Sequence, residues 1–103
     1  MSDVAANSSA DASIGALRRS LAIANKRGLH ARAAAKFVRT AGQFDAVVRV
    51  SFKGQEVSGL SIMGLMMLAA AKGTKVKFIA TGDDAPSMLT ELEALFAKKF
   101  DEA

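Results

Sequence analysis

The run Ser20-Leu21-Ala22-Ile23-Ala24-Asn25-Lys26-Arg27-Gly28-Leu29-His30-Ala31-Arg32-Ala33-Ala34-Ala35-Lys36-Phe37-Val38 changes its hydrophobic period partway along. Before the change, polar and apolar residues alternate around Leu21 and Ile23, so Arg18–Ala24 is predicted as a short strand with one buried face. After it, Ala31, Ala34, Ala35, Val38 and Ala41 fall at helical spacing, Arg32, Lys36 and Arg39 line another face, and Gly42 closes the helix. Between the two, Asn25–Gly28 reads as a turn in which Gly28 is free to take a positive φ. A strand that passes through a tight turn into a helix places His30 at the helix start.

Working outward, Ala46–Phe52 is rich in β-branched residues, and Lys53-Gly54 turns it into a short partner, Gln55–Ser58. Ser61 precedes an apolar short helix, Ile62–Leu68, expected to end near Gly73. Lys75–Ala80 is the clearest strand, with Val76 and Phe78 on one face. Asp83-Asp84-Ala85-Pro86 marks a helix start, with acids at the positive dipole end and proline in the first turn. The apolar stripe Leu89, Leu92, Leu95 and Phe96 then runs to about Phe100. The order β-α-β-β-α-β-α implies an α+β fold whose helices cover one face of a small, mainly antiparallel sheet.

Composition narrows the chemistry. The chain has 103 residues, no Cys, no Trp and one His, which favours one domain and removes disulfides, thiolate nucleophiles and cysteine-based zinc sites. Residues 1–15 are expected to form a disordered tail rich in Ser, Ala and Asp, lacking the basic start and apolar run of a secretory signal; residues 16–103 form the domain. The most apolar stretch, Leu60–Ala71, is too short for a bilayer, which takes about 20 residues. A cytoplasmic protein is the simplest expectation. Charge is polarised along the chain: −2 over residues 1–15, +10 over 16–77 and −4 over 78–103. A basic body with an acidic end suggests an acidic partner: a phosphate, nucleic acid or an acidic protein face.

The segment Gly28-Leu29-His30-Ala31-Arg32 then carries the chemical question. The first N–H groups of a helix lack internal partners and the dipole is positive there, so the site suits an anion. The dipole favours a neutral, nucleophilic imidazole, and Arg32 can hold phosphate through a bidentate fork. A capping or surface histidine is the commoner reason for a histidine at a helix start, and spacing alone does not compel phosphoryl transfer.

Two strings in register add to this. Asn25–Val38 closely resembles the phosphohistidine site of HPr, the phosphocarrier family of the bacterial phosphoenolpyruvate-dependent phosphotransferase system. Leu60-Ser61-Ile62-Met63-Gly64-Leu65-Met66-Met67-Leu68-Ala69-Ala70-Ala71-Lys72-Gly73 is similar to the family's regulatory serine segment, and His30 and Ser61 lie 31 residues apart, at the family's spacing. The resemblance covers roughly residues 18–100 and implies an open-faced β-sandwich of four antiparallel strands under three helices. By it, His30 takes a phosphoryl group from phosphorylated enzyme I and passes it to a histidine of an enzyme IIA protein, and Arg32 stabilises the phosphate. The chain is then a stoichiometric carrier more than an enzyme. It binds no cofactor or metal of its own, and phosphoenolpyruvate and Mg²⁺ are used by enzyme I.

The same resemblance makes Ser61 the target of HPr kinase/phosphorylase, where a phosphate at the helix N-terminus would repel an acidic partner without unfolding the domain. It assigns Ile62, Met63, Met66 and Met67, with Leu29 and Ala31, to a shared docking patch ringed by Arg32, Arg39 and Lys72, on a monomer that meets neither membrane nor nucleic acid. Methionines suit a surface that must fit several partners. One departure stands out: the family usually has proline after the arginine, and here Ala33 leaves a free N–H that could face the phosphate. A looser helix start with transfer retained is expected.

Asn25-Lys26 and the end Ala94-Leu95-Phe96…Phe100-Asp101-Glu102 resemble the nitrogen-related regulatory branch, whereas the Ser61 segment looks more like sugar-branch HPr; the regulatory branch is favoured. The competing classes are a small basic nucleic-acid-binding domain and a regulatory ligand-binding domain in which His30 merely caps. The first lacks Tyr and Trp for a stacking platform.

Overall fold

Four alternating segments pair into one antiparallel sheet in the computed structural model, which describes residues 15–102. The strands are β1 (Leu17–Ala22), β2 (Val47–Phe52), β3 (Gln55–Ser58) and β4 (Lys75–Thr81), in the order β1-β4-β2-β3. Register aligns Ser20, Lys77, Ser51 and Glu56 across one face, and Arg19, Phe78, Val50 and Val57 on the next row. Three helices, α1 (Ala31–Ala41), α2 (Ile62–Met67) and α3 (Ala85–Ala97), complete the expected β-α-β-β-α-β-α order. The tail expected over residues 1–15 lies, apart from Gly15, outside the described residues.

Period two decides which face is covered. Val48, Val50, Val76, Phe78 and Ala80 are buried and share one core with Ala33, Ala34, Phe37 and Ala41 of α1 and Met88, Leu89, Leu92, Leu95 and Phe96 of α3. The alternate residues Arg18, Arg49, Lys75 and Lys77 stay exposed on the open face. Phe37, Phe78 and Phe96 meet with ring centroids 5.4–6.3 Å apart. Each such side chain contributes about 1.5–3 kcal/mol by burial, so these rings tie α1, the sheet and α3 into one unit.

Boundaries move where the tertiary structure intervenes. β1 stops at Ala22 rather than Ala24, because the register slips at Ile23: its N–H still donates to the facing Thr74 carbonyl, but its own carbonyl accepts from Gly73, one residue along, both at 2.8 Å. Helix α2 ends at Met67, well before Gly73, and Ala69 takes a φ of 54°. At α3 the Asp84 carboxylate makes no capping bond; it accepts from the Asp45 N–H at 2.7 Å, tying the helix start to the turn before β2.

The stripe expected to run helically to Phe100 breaks after Ala97. Lys99, Phe100 and Asp101 all have left-handed φ values, 56°, 55° and 57°. None is glycine, and each such residue costs about 1–2 kcal/mol. What offsets this is packing: Phe100 is buried with its ring centroid 4.9 Å from that of Phe96, and the Lys36 ammonium donates to the Phe100 carbonyl at 2.7 Å. The chain end therefore curls back toward the start of α1.

Gly28 positions that start. Its φ is +67°, and a Cβ placed there would lie 2.4 Å from the Ala70 carbonyl oxygen. The Leu29 N–H donates to the same oxygen at 3.1 Å. Gly28→Ala is expected to destabilise the domain by about 2 kcal/mol or more, since a left-handed alanine is strained and the obstacle is backbone. Urea unfolding of the two proteins measures the difference.

Candidate functional site

His30 sits at the N-cap of α1 in extended conformation, and the Arg32 N–H donates to its Nδ1 at 3.2 Å. The sequence places it there because the turn Asn25–Gly28 ends β1's approach and Gly28 reverses the chain. Asn25 is fully buried and clamps that turn: its Nδ2 donates to the Gly28 carbonyl at 2.8 Å, and its own carbonyl accepts from the Gly28 N–H at 3.3 Å. The His30 ring is partly exposed, with 26% of its side chain open to solvent.

Because Nδ1 accepts a hydrogen bond, the proton of a neutral ring belongs on Nε2. Nε2 lies 3.5 Å from the Glu102 Oε2. Glu102 Oε1 accepts from the Arg27 N–H at 3.3 Å, 75 positions away in sequence. Burial pushes the Glu102 carboxyl up, but the N–H groups of Arg27 and Lys26, the Asn25 amide and the charge of His30 outweigh it and hold the carboxyl below its ordinary 4.5. An Nδ1 lone pair that exchanges the Arg32 N–H for phosphorus can attack a phosphoryl group, which backbone N–H groups at the helix start and the Arg32 cation can then hold.

Arg32, Arg39 and Lys72 are exposed, and Arg32 has no ion-pair partner among the described residues. Lys36, from the same helix, is committed elsewhere, with its ammonium on the Phe100 carbonyl and 3.8 Å from Asp101. Ala33 is completely buried, so its N–H does not lie open beside the ring as the sequence suggested; the helix starts regularly on the His30 cap without proline.

Ile62, Met63, Met66 and Met67 stand out from α2 at 39%, 66%, 36% and 73% exposure. Leu29, expected in the same patch, is buried at 4% because its N–H is drawn onto Ala70 and its side chain drops into the core; Ala31 is exposed. Leu60, at 53% exposure, is an apolar surface residue on the same segment that sequence reasoning missed. Ser61 caps α2, its Oγ accepting from the Gly64 N–H at 2.9 Å.

Sequence reasoning also missed Asn25 as a buried clamp and Glu102 as a neighbour of His30. An asparagine three residues before a glycine was a signal for the first. Nothing local signalled the second. A separate hollow of about 350 Å³ on the open sheet face, lined by Arg18, Ser20, Ser51, Glu56 and Lys77, contains none of these residues.

The family model described as PTS HPr component phosphorylation site matches residues 17–98. A phosphocarrier protein HPr of Neisseria meningitidis serogroup A is 48% identical over 84% of this chain and 97% of that relative. A phosphocarrier protein NPr of Shewanella violacea is 40% identical over 84% of this chain and 96% of its own length. Among solved structures, an HPr from Thermoanaerobacter tengcongensis superposes with a TM-score of 0.80 at 40% identity, covering 84% of this chain and 98% of that one.

The Glu102 geometry has a pH signature. A carboxyl whose native value lies below its unfolded one stabilises the fold fully above 4.5 and loses that contribution as pH falls through the native value. Wild type is therefore expected to exceed Glu102→Ala in denaturation midpoint near neutral pH. The gap closes in acid, as urea titrations across that range measure.

Proposed function

The chain belongs to the HPr family of the phosphotransferase system, and from that premise we propose that His30 is its phosphoryl acceptor, attacking through Nδ1. As a family member the protein is a phosphocarrier and not a catalyst. The observation that carries the assignment to His30 is its place as N-cap, with Nδ1 turned toward the helix N–H groups.

In the proposed cycle, the Nδ1 lone pair attacks phosphorus in line and the donor's P–N bond breaks. The incoming group replaces the Arg32 N–H contact at Nδ1 and is met by the positive end of α1 and by the Arg32 guanidinium. In the next transfer the Nδ1–P bond breaks and its electron pair returns to the ring. The donor is enzyme I, which uses phosphoenolpyruvate and Mg²⁺, and the acceptor is a histidine of an enzyme IIA protein. The exposed apolar surface of α2, flanked by Arg32, Arg39 and Lys72, suits brief docking on apolar faces rimmed by acidic residues. We further assign the chain to the regulatory, nitrogen-related branch, which the NPr relative and the segments 25–26 and 94–102 support. No helix among the described residues is long and apolar enough to cross a membrane.

Ser61 is proposed as a regulatory phosphorylation site. Its hydroxyl already serves as a cap, so Ser61→Ala is expected to cost about 1 kcal/mol in urea unfolding. A phosphate there would add about −1.5 to −2 charges beside the docking surface.

Incubation with phosphoenolpyruvate, Mg²⁺ and enzyme I is expected to place acid-labile phosphate on wild type and none on His30→Ala; absence of label on both proteins would refute the assignment. Arg32→Ala is expected to slow labelling about 10- to 100-fold, the worth of one charged hydrogen bond. Transfer from labelled protein to nitrogen-type and sugar-type enzyme IIA proteins in parallel decides the branch, with faster transfer to the nitrogen type expected.

A further inference from the structure

Glu102 and His30 bring two side-chain groups together at the start of α1, within ion-pair reach of each other. Glu102 Oε2 is covered and has no hydrogen-bond partner among the described residues, its side chain being only 12% exposed. The neutral His30 ring, with Nδ1 engaged by the Arg32 N–H, carries its proton on Nε2. Nε2 and Oε2 lie 3.5 Å apart, an ion-pair separation rather than a hydrogen bond. Glu102 is not a floppy surface acid that happens to lie nearby. Its other oxygen is fastened by the Arg27 N–H, and the backbone that delivers it is held left-handed at Lys99, Phe100 and Asp101. Strain kept at three successive residues marks a position that packing imposes.

We propose that Glu102 is a positioning residue for the phosphoryl cycle, holding the proton on His30 Nε2 throughout. The proposal rests on His30 being the acceptor. Its chemistry is a proton that never leaves. When Nδ1 attacks, the lone pair becomes the Nδ1–P bond and the ring, still Nε2-protonated, becomes cationic; the carboxylate facing Nε2 balances that charge. When the phosphoryl group departs, the pair returns to Nδ1 and the leaving group is a neutral imidazole. Without the Nε2 proton the same bond cleavage would expel an imidazolate, a far poorer leaving group. The arrangement parallels an acid that fixes the tautomer of a catalytic histidine and stays ionised itself. Here the acid comes from the far end of the chain, carried by Phe100 in the core and by the Lys36 ammonium on the Phe100 carbonyl.

The test uses the full chain labelled with ¹⁵N at its single histidine and phosphorylated chemically with phosphoramidate, so no partner protein is needed. Near pH 8, above the ordinary histidine value of about 6.5, the two ring ¹⁵N shifts report where the proton sits. Wild type is expected to show Nε2–H in both the free and the phosphorylated ring. Glu102→Ala is expected to lower the Nε2-protonated share of the phosphorylated ring and slow loss of its phosphate to water about two- to fivefold, the range an ion pair of modest strength provides. Glu102→Gln keeps an acceptor without the charge, so it should restore the free-ring tautomer while leaving phosphate loss slow. Lys36→Met, which releases the Phe100 carbonyl, should give a weaker form of the Glu102→Ala signature.

Unchanged ring shifts and unchanged phosphate loss in a folded Glu102→Ala protein would overturn the role of Glu102. Absence of phosphohistidine at His30 in wild type would instead overturn the acceptor assignment, so the two failures are separable.

Discussion

At Gly28 the backbone of the turn before α1 passes so close to Ala70 that no side chain fits between them. That contact joins two segments far apart in sequence, the turn bearing His30 and the loop that follows α2. The Leu29 N–H, bonded to the same Ala70 carbonyl, draws Leu29 into the core and leaves His30 as the first residue facing outward. Both the cap geometry of His30 and the placement of α2 beside it follow from this one approach. The Asn25 clamp closes the turn from the other side, so the histidine loop is fixed before any partner arrives.

The second constraint is electrostatic and comes from the chain end. The −4 of residues 78–103 is not merely a counterweight to the basic body. Part of it, Glu102, is brought against the basic turn at Arg27 and against His30, and Asp101 lies near Lys36 and Lys98. Phe100 is what makes this possible, since an apolar ring with a place in the core holds three left-handed residues that would otherwise relax. Polar function at the surface is thus secured by aromatic packing beneath it. The open sheet face, basic and exposed among the described residues, plays no part in that arrangement.

Much of the site is legible in the chain itself. The change of period at Asn25–Gly28 locates the helix start, and the orphan N–H groups expected there make His30 an anion-binding candidate on local grounds alone. The motif at Ser61 marks the cap of α2 correctly. The departures have physical causes. Leu29 has the composition of a docking residue, yet its backbone is committed to Ala70, and commitment of a backbone does not show in a side-chain pattern. The end of α2 reads too late because Leu68–Ala71 are good helix formers, whereas Ala69 at φ 54° turns the chain to meet Gly28. The stripe from Leu89 to Phe100 reads as one helix, but Phe100 reaches the core only after the chain has reversed its hand.

By itself, then, the sequence determined the element order, the buried face of each strand, and the position of the single histidine at a helix start. These are local properties, set by period, turn residues and composition within a few positions. Only the tertiary structure decided that Glu102 faces Nε2, that Nδ1 is the nitrogen turned to the helix, and that Leu29 is hidden. Those outcomes depend on segments meeting across 75 positions of chain, as Arg27 and Glu102 do, and such meetings are settled by how the aromatic core packs.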